Sequence, residues 1–250
     1  MKNASEYLIK YLLDEQNLNI SVPHGEKERY DLFRALCNVR PPMPVTAEFL
    51  KVQNGYLTAR VAEKGITDVN GLAYENNISL FKGDITTLNA DAIVNAGNSR
   101  MLGCFHPLHG CIDNAIHSAS GIELRLECNK IMNGREAENG EVIVTKGYNL
   151  PCKYVFHTVG PIVYGKVTEE NEKDLEKCYS ACLDKADELN LKTIAFCCIS
   201  TGEFGYPKEK ACAVAVKTVK EYLAKTKSNI KVVFDVFTGE DYDVYKRLLG

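Results

Sequence analysis

The chain has 250 residues, enough for one substantial core or one core with a small appended domain, and 45% hydrophobic with 25% charged residues is a globular balance. A net charge of -3 gives no chain-wide attraction for nucleic acid or an anionic membrane, so neither is an expected partner. Charges interrupt every apolar run of the first fifteen residues, so neither a signal peptide nor a spanning helix is drawn there, and a cytoplasmic protein is expected.

Residues 1–75 carry only helical signals. Tyr7, Leu8, Tyr11 and Leu12 recur at helix spacing, as do Tyr30, Phe33 and Leu36, and more loosely Phe49, Leu50 and Leu57. Pro41, Pro42 and Pro44 separate the second helix from the third, because proline cannot continue one. This part reads as a helical N-terminal extension. Residues 76–250 then form the main unit, with short apolar strands at 78–81, 92–95, 142–144, 154–158, 193–199 and 232–237. Helical patterns lie between them at about 111–132, 169–190 and 208–225, with a last one at about 241–249. That alternation predicts a largely parallel sheet with helices on both faces, the α/β class, in which ligands gather at the carboxyl ends of the strands.

Most of the ten cysteines look structural. Cys37, Cys128, Cys178, Cys182, Cys197, Cys198 and Cys212 fall in apolar helix or strand patterns, where a free thiol packs as a small hydrophobe. Cys104 and Cys111 are different, because they share a loop with His109, and Gly103 and Gly110 let that loop bend. Two thiols and an imidazole in Cys-x4-His-x-Cys spacing, with no fourth ligand nearby, suit a zinc ion that keeps a coordination position open. A buried thiol, a surface histidine and an unrelated second thiol are the plain alternative. His106 stands beside the stiff Pro107 and ranks as a bystander, and His117 as a packed helix residue.

Three further segments sit at strand ends. Ser200, Thr201, Gly202, Glu203, Phe204, Gly205 and Tyr206 precede Pro207 between a buried strand and a helix, so their amides and the helix N-terminus suit a phosphate or diphosphate. Glycines there are also ordinary turn chemistry. Asp84 follows the first strand and could accept from an exocyclic amine such as that of adenine, or simply cap a turn. Asn98 offers a donor and an acceptor to sugar hydroxyls, or an Asx-turn to its own backbone.

Together, Gly83-Asp84-Ile85-Thr86, Asp91 through Asn98, Gly110 through His117, and Ile199 through Pro207 occur in the order and context of the macrodomains, and residues 78–250 resemble that family. The insert from Met101 to Cys111 resembles the zinc-dependent microbial branch, which also carries a helical N-terminal extension. The resemblance implies a three-layer α/β/α fold with a mixed, largely parallel sheet, and hydrolysis of mono-ADP-ribose from modified protein side chains, acidic ones first. It implies that Asp84 and the Ile85 amide meet the adenine, that Gly202 through Tyr206 cradle the diphosphate, and that Phe237 lies near the adenine face. Asn98 would meet the distal ribose, and Asp113 matches a catalytic aspartate of zinc-free members. Gly97 stands where Ala is common, without removing a functional group. Zinc on Cys104, His109 and Cys111 would complete its shell with a ribose hydroxyl or water, and a modified lipoyl-carrier protein is one substrate the resemblance suggests. Two other readings predict different behaviour: an ADP-ribose reader binds without turnover, and a structural zinc module recruits a partner through a closed four-ligand site.

Overall fold

The computed structural model describes residues 1–250. Three helices come first: α1 (Lys2–Glu15), α2 (Glu26–Val39) and α3 (Ala47–Lys64). Their buried residues recur at helical spacing, with Leu8, Ile9, Leu12 and Leu13 on α1, Phe33 and Leu36 on α2, and Phe49, Tyr56 and Leu57 on α3. These side chains close on one another as a separate small core, and Ile122 is the one member contributed by the rest of the chain. Each such side chain contributes about 1.5–3 kcal/mol on leaving water, enough to hold three short helices together. The three prolines lie between α2 and α3 as expected, and Thr46 opens α3 by accepting from the Phe49 amide at 3.1 Å.

The strands are β1 (Thr67–Asp68), β2 (Ile78–Lys82), β3 (Leu88–Asn89), β4 (Ala92–Ala96), β5 (Val142–Lys146), β6 (Tyr154–Thr158), β7 (Thr193–Phe196) and β8 (Lys231–Val236). Six of them form one sheet in the order β2-β8-β7-β4-β6-β5, parallel throughout except for the β5–β6 pair. Helices α4 (Ile112–Ser120), α5 (Ile122–Met132), α6 (Glu169–Glu188), α7 (Lys208–Thr226) and α8 (Gly239–Leu249) supply the outer layers of the expected α/β/α sandwich. All of β7 and the first four residues of β4 are buried, the pattern of central strands covered on both faces. No helix is long and apolar enough to cross a membrane.

Three details differ from the sequence expectation. The helix expected over 111–132 is broken at Gly121, whose φ of +97° favours glycine. A Cβ there would lie 2.7 Å from Gln53 Nε2, and Gln53 Oε1 accepts from the Ile122 amide at 3.0 Å, so the break is where α3 presses against the main unit. The strand expected to reach Ile199 ends at Phe196, where the chain leaves the ladder for the following loop. The two-residue parallel pair β1–β3 is too short to carry a period. All ten cysteines are free; Cys128, Cys178, Cys182, Cys197 and Cys212 are buried, while Cys37 and Cys198 are half-buried.

Because β2, β4, β6, β7 and β8 run parallel, the loops at 83–87, 97–111, 159–168, 197–207 and 237–238 leave the same edge of the sheet.

Candidate active site

Asn95 ends the buried run of β4 and pairs in register with His157 on β6. Its Nδ2 lies 2.8 Å from Asp113 Oδ1 and 3.1 Å from His157 Nδ1. An amide nitrogen only donates, so Nδ1 of His157 accepts and the ring proton sits on Nε2, facing Thr145 Oγ1 at 2.9 Å. Burial holds the His157 pKa down to about 3, so the ring is neutral. Asp113, in the first turn of α4, is buried; burial raises its pKa to about 6, with Asn95 and Arg125 acting in the opposite sense. It is therefore mostly ionised at neutral pH, yet a better base than an exposed carboxylate.

His117 follows one helical turn after Asp113, with Nε2 3.5 Å from Asp113 Oδ1, and burial lowers its pKa. Its ring, with those of His157 and the Cys128 thiol, forms a wholly buried group of potential metal donors within 4.8 Å of one another. His157, however, already spends both ring nitrogens on Asn95 and Thr145. Two of its members adjoin Asp113, His117 directly and His157 through Asn95, and the sequence reading of His117 as a packed helix residue agrees with its burial.

Cys104, His109 and Cys111 come together as a second group, all half-buried, with donor atoms within 4.8 Å of one another. Cys104 Sγ lies 3.5 Å from His109 Nδ1. Zinc bonds of about 2.3 Å to sulfur and about 2.0–2.1 Å to nitrogen place a tetrahedral sulfur and nitrogen about 3.5 Å apart, so the set fits zinc in donor type and the Cys104–His109 pair also in spacing. No fourth protein donor joins it, and His106 stays outside. His109 turns its other nitrogen, Nε2, toward the exposed Glu203 carboxylate, 3.4 Å from Oε1. Cys111 also opens α4, its Sγ accepting from the Asn114 amide at 3.4 Å. Burial pushes its thiol up to about 12 against that hydrogen bond, and because metals bind thiolate, capture of a metal here releases a proton.

The remaining expected residues line the same edge. Asp84 caps a short 3-10 turn, Ile85–Thr87, with Oδ1 accepting from the amide (3.0 Å) and hydroxyl (2.6 Å) of Thr86. Its Oδ2 is met at 2.9 Å by Lys64 Nζ, from the last turn of α3. Burial works to raise the Asp84 pKa, but the hydrogen bonds from Thr86 and Lys64 outweigh it and hold the carboxylate below the usual range. Ile85 is buried, and as the first residue of its turn it leaves its amide outside the turn's own bonding. Phe237, just past β8, is 77% exposed. Gly83 donates to Val236 O, so Phe237 adjoins the Asp84 turn.

Asn98 braces its own loop, with Oδ1 accepting from the Arg100 amide (3.1 Å) and Nδ2 donating to Gly103 O (3.3 Å). The Asx-turn weighed from sequence is thus present. In the 200–206 loop, Ser200 and Gly205 both have positive φ, Gly205 N bonds Gly202 O, and Tyr206 N bonds Ser200 O. Thr201 donates back to Cys198 O, while the amides of Gly202, Glu203 and Phe204 make no backbone bond within the chain. Three successive amides without a backbone partner leave donors free for an anion. Ser200 and Tyr206 are buried behind it.

Asn95, His157 and Lys64 were not assigned from sequence. Asn95 lay inside a recognised motif, but its role depends on the register with β6; Lys64 closes a helix whose only sequence signal was amphipathicity.

Residues 94–215 match the Macro domain family. A protein-ADP-ribose hydrolase of Treponema medium is 46% identical over 100% of this chain and 99% of its own length. One of Staphylococcus aureus strain MRSA252 is also 46% identical, over 98% of this chain and 94% of its own. Among solved structures, a Trypanosoma brucei macrodomain in complex with ADP-ribose superposes with a TM-score of 0.67 at 28% identity, covering 86% of this chain and 95% of that one. An Oceanobacillus iheyensis macrodomain with ADP gives 0.61 at 37% identity, over 68% and 88%. The chain belongs to the macrodomain family and, within it, to the protein-ADP-ribose hydrolases.

Proposed function

We propose that this hydrolase is zinc-dependent and cleaves the bond between the distal ribose of mono-ADP-ribose and an acidic protein side chain. The observation that carries the reading is the placement of a buried carboxylate, Asp113, two residues beyond a loop that gathers the zinc-type donors Cys104, His109 and Cys111 within 4.8 Å of one another. The adenine amine is bound by Asp84 beside the Ile85 amide, and the diphosphate by the unpaired amides of Gly202, Glu203 and Phe204. Asn98 turns part of its hydrogen bonding from its own loop to the distal ribose. Asp113, fixed by Asn95, orients the attacking water and accepts its proton as the ribose C1'' bond to the side-chain oxygen breaks and a bond to the water oxygen forms. Bound zinc would supply polarisation and orientation of a ribose hydroxyl or water at its open position, weakened as a Lewis acid by its two thiolates.

The test is release of ADP-ribose from a mono-ADP-ribosylated protein by the purified chain, with zinc content measured, beside Cys111→Ala and Asp113→Ala. About one zinc per parent chain, with loss of release in both variants, is expected. A Cys111→Ala chain that holds no zinc and turns over at the parent rate ends the zinc part of the reading.

A further inference from the structure

The segment from Leu102 to Cys111 lacks helix or strand, and much of what fixes its backbone comes from outside it. Helix α2 of the N-terminal extension provides two such fixings. Arg34 Nη2 donates to the carbonyl of His109 at 2.9 Å, and its Nε and Nη2 grip Asn114 Oδ1 at 2.9 and 2.6 Å. Asn114 in turn donates through Nδ2 to His106 O at 2.9 Å. One turn along α2, buried Asn38 accepts the Leu108 amide on Oδ1 at 3.0 Å and donates to Ser118 Oγ at 3.1 Å. Leu108 has a φ of +56°, a conformation a leucine keeps only where surrounding bonds hold it. Arg125 ties the start of the loop to the same helix, donating to Leu102 O at 2.7 Å and to the carbonyls of Cys37 and Asn38 at 2.9 and 3.0 Å.

We propose that Arg34 and Asn38 are positioning residues of the hydrolase: α2 sets the spacing of Cys104, His109 and Cys111 by holding the backbone on either side of His109. The proposal deepens the zinc reading and rests on it for its metal part. The physical reason is that a three-donor site on an irregular loop has no secondary structure of its own to fix donor separation, so partners outside the donor set must do so. His109 sits between the two fixed points, Leu108 N and its own carbonyl.

The test uses the full chain with Arg34→Ala, Arg34→Lys and Asn38→Ala, and with Lys27→Ala, an exposed α2 residue paired only with Asp31, as the control. Four readouts are taken: zinc loss to a chelator, kcat and KM on a mono-ADP-ribosylated protein, affinity for free ADP-ribose, and hydrogen exchange at the Leu108 amide. Both Ala variants should lose zinc about 10-fold faster or more and drop kcat by a similar factor, the scale seen when partners of metal ligands are removed. KM and ADP-ribose affinity should stay within about twofold, since no contact of the nucleotide end is touched. Arg34→Lys should fall between, keeping the charge but not the forked geometry. Faster Leu108 exchange in Asn38→Ala with zinc retention and kcat at parent values overturns the proposal. So does a parallel fall of kcat, ADP-ribose affinity and melting temperature in Arg34→Lys, which marks a general structural role. A parent chain without zinc ends the zinc reading alone; the positioning claim is then decided by the split between kcat and ADP-ribose affinity.

Discussion

Asp235 lies on β8 with its side chain buried and Oδ1 without a hydrogen-bond partner. Burial, and then the neighbouring negative charge of Asp84, raise its pKa from 3.8 to about 8. In the unfolded chain this carboxyl loses its proton near pH 4, whereas in the folded chain it keeps it to about 8, so between those values the unfolded state binds fewer protons and stability falls as pH rises. The contribution is fully present below the unfolded value and lost by the time pH has passed the folded one. Asp235→Asn removes the titration while keeping the shape. Its melting temperature relative to the parent should therefore rise from pH 5 to pH 8, each kcal/mol being worth about 2–4 °C at this length; a constant offset across that range would contradict the assignment. Asn95 makes a prediction of the same scale. Asn95→Ala leaves Asp113 Oδ1 and His157 Nδ1 without their shared donor, so kcat should fall by about 5- to 150-fold, matching the 1–3 kcal/mol typical of an orphaned buried group. Steady-state rates on a modified protein check it. Asp113 and Asn98 were recognisable from their motifs, but the partner that aims Asp113 was not, because its second contact is a histidine on another strand that only the register brings opposite it.

Among the elements, every strand of the six-stranded sheet was legible to within a few residues, since each is a short apolar run bounded by turn residues. The split between α4 and α5 was not, because the apolar pattern continues through Gly121 and what demands the glycine is a contact with Gln53 of a distant helix. Gly121→Ala places a side chain in positive φ and drives its Cβ against Gln53 Nε2, so it should cost about 1–3 kcal/mol, read by thermal unfolding. Gly97 behaves oppositely. Its added Cβ would meet Asp113 Oδ1 and Asn95 Nδ2 at 3.6 Å, ordinary contact, so an alanine would fit there without a clash. The last turn of α3 carries a binding consequence: Lys64 and Asp84 are both more than a third exposed, so their pair adds at most about 1 kcal/mol to stability. An adenine amine needs the same carboxylate, and Lys64→Met should tighten free ADP-ribose by up to about fivefold, within that same energy, as seen by titration calorimetry. Weaker binding would show instead that Lys64 helps to hold the nucleotide.

The helical extension was drawn from the sequence only as an N-terminal appendage, with a boundary near residue 75, because amphipathic stripes show only that a helix buries one face and never what lies opposite. In the whole molecule the extension reaches the site at both ends: α2 grips the loop carrying Cys104, His109 and Cys111, and α3 places Lys64 on Asp84. Its small core also takes in Ile122 of the main unit, and Arg125 points its guanidinium at the carbonyls of Cys37, Asn38 and Arg40. A chain reduced to residues 76–250 therefore leaves Ile122 in water, strips a buried arginine of three acceptors and frees the Leu108 amide. The lost burial and hydrogen bonds are worth about 1 kcal/mol each, against a total stability of only about 5–15 kcal/mol, so the shortened chain should melt well below the full one or fail to fold. Where it does fold, the nucleotide end, built from β2, β7 and β8, should keep part of its affinity for ADP-ribose while turnover is lost with the order of the 102–111 loop. Parallel melting curves, calorimetry with ADP-ribose and turnover on a modified protein separate these outcomes, and equal melting and turnover in the two chains would return the extension to the role of a mere cover.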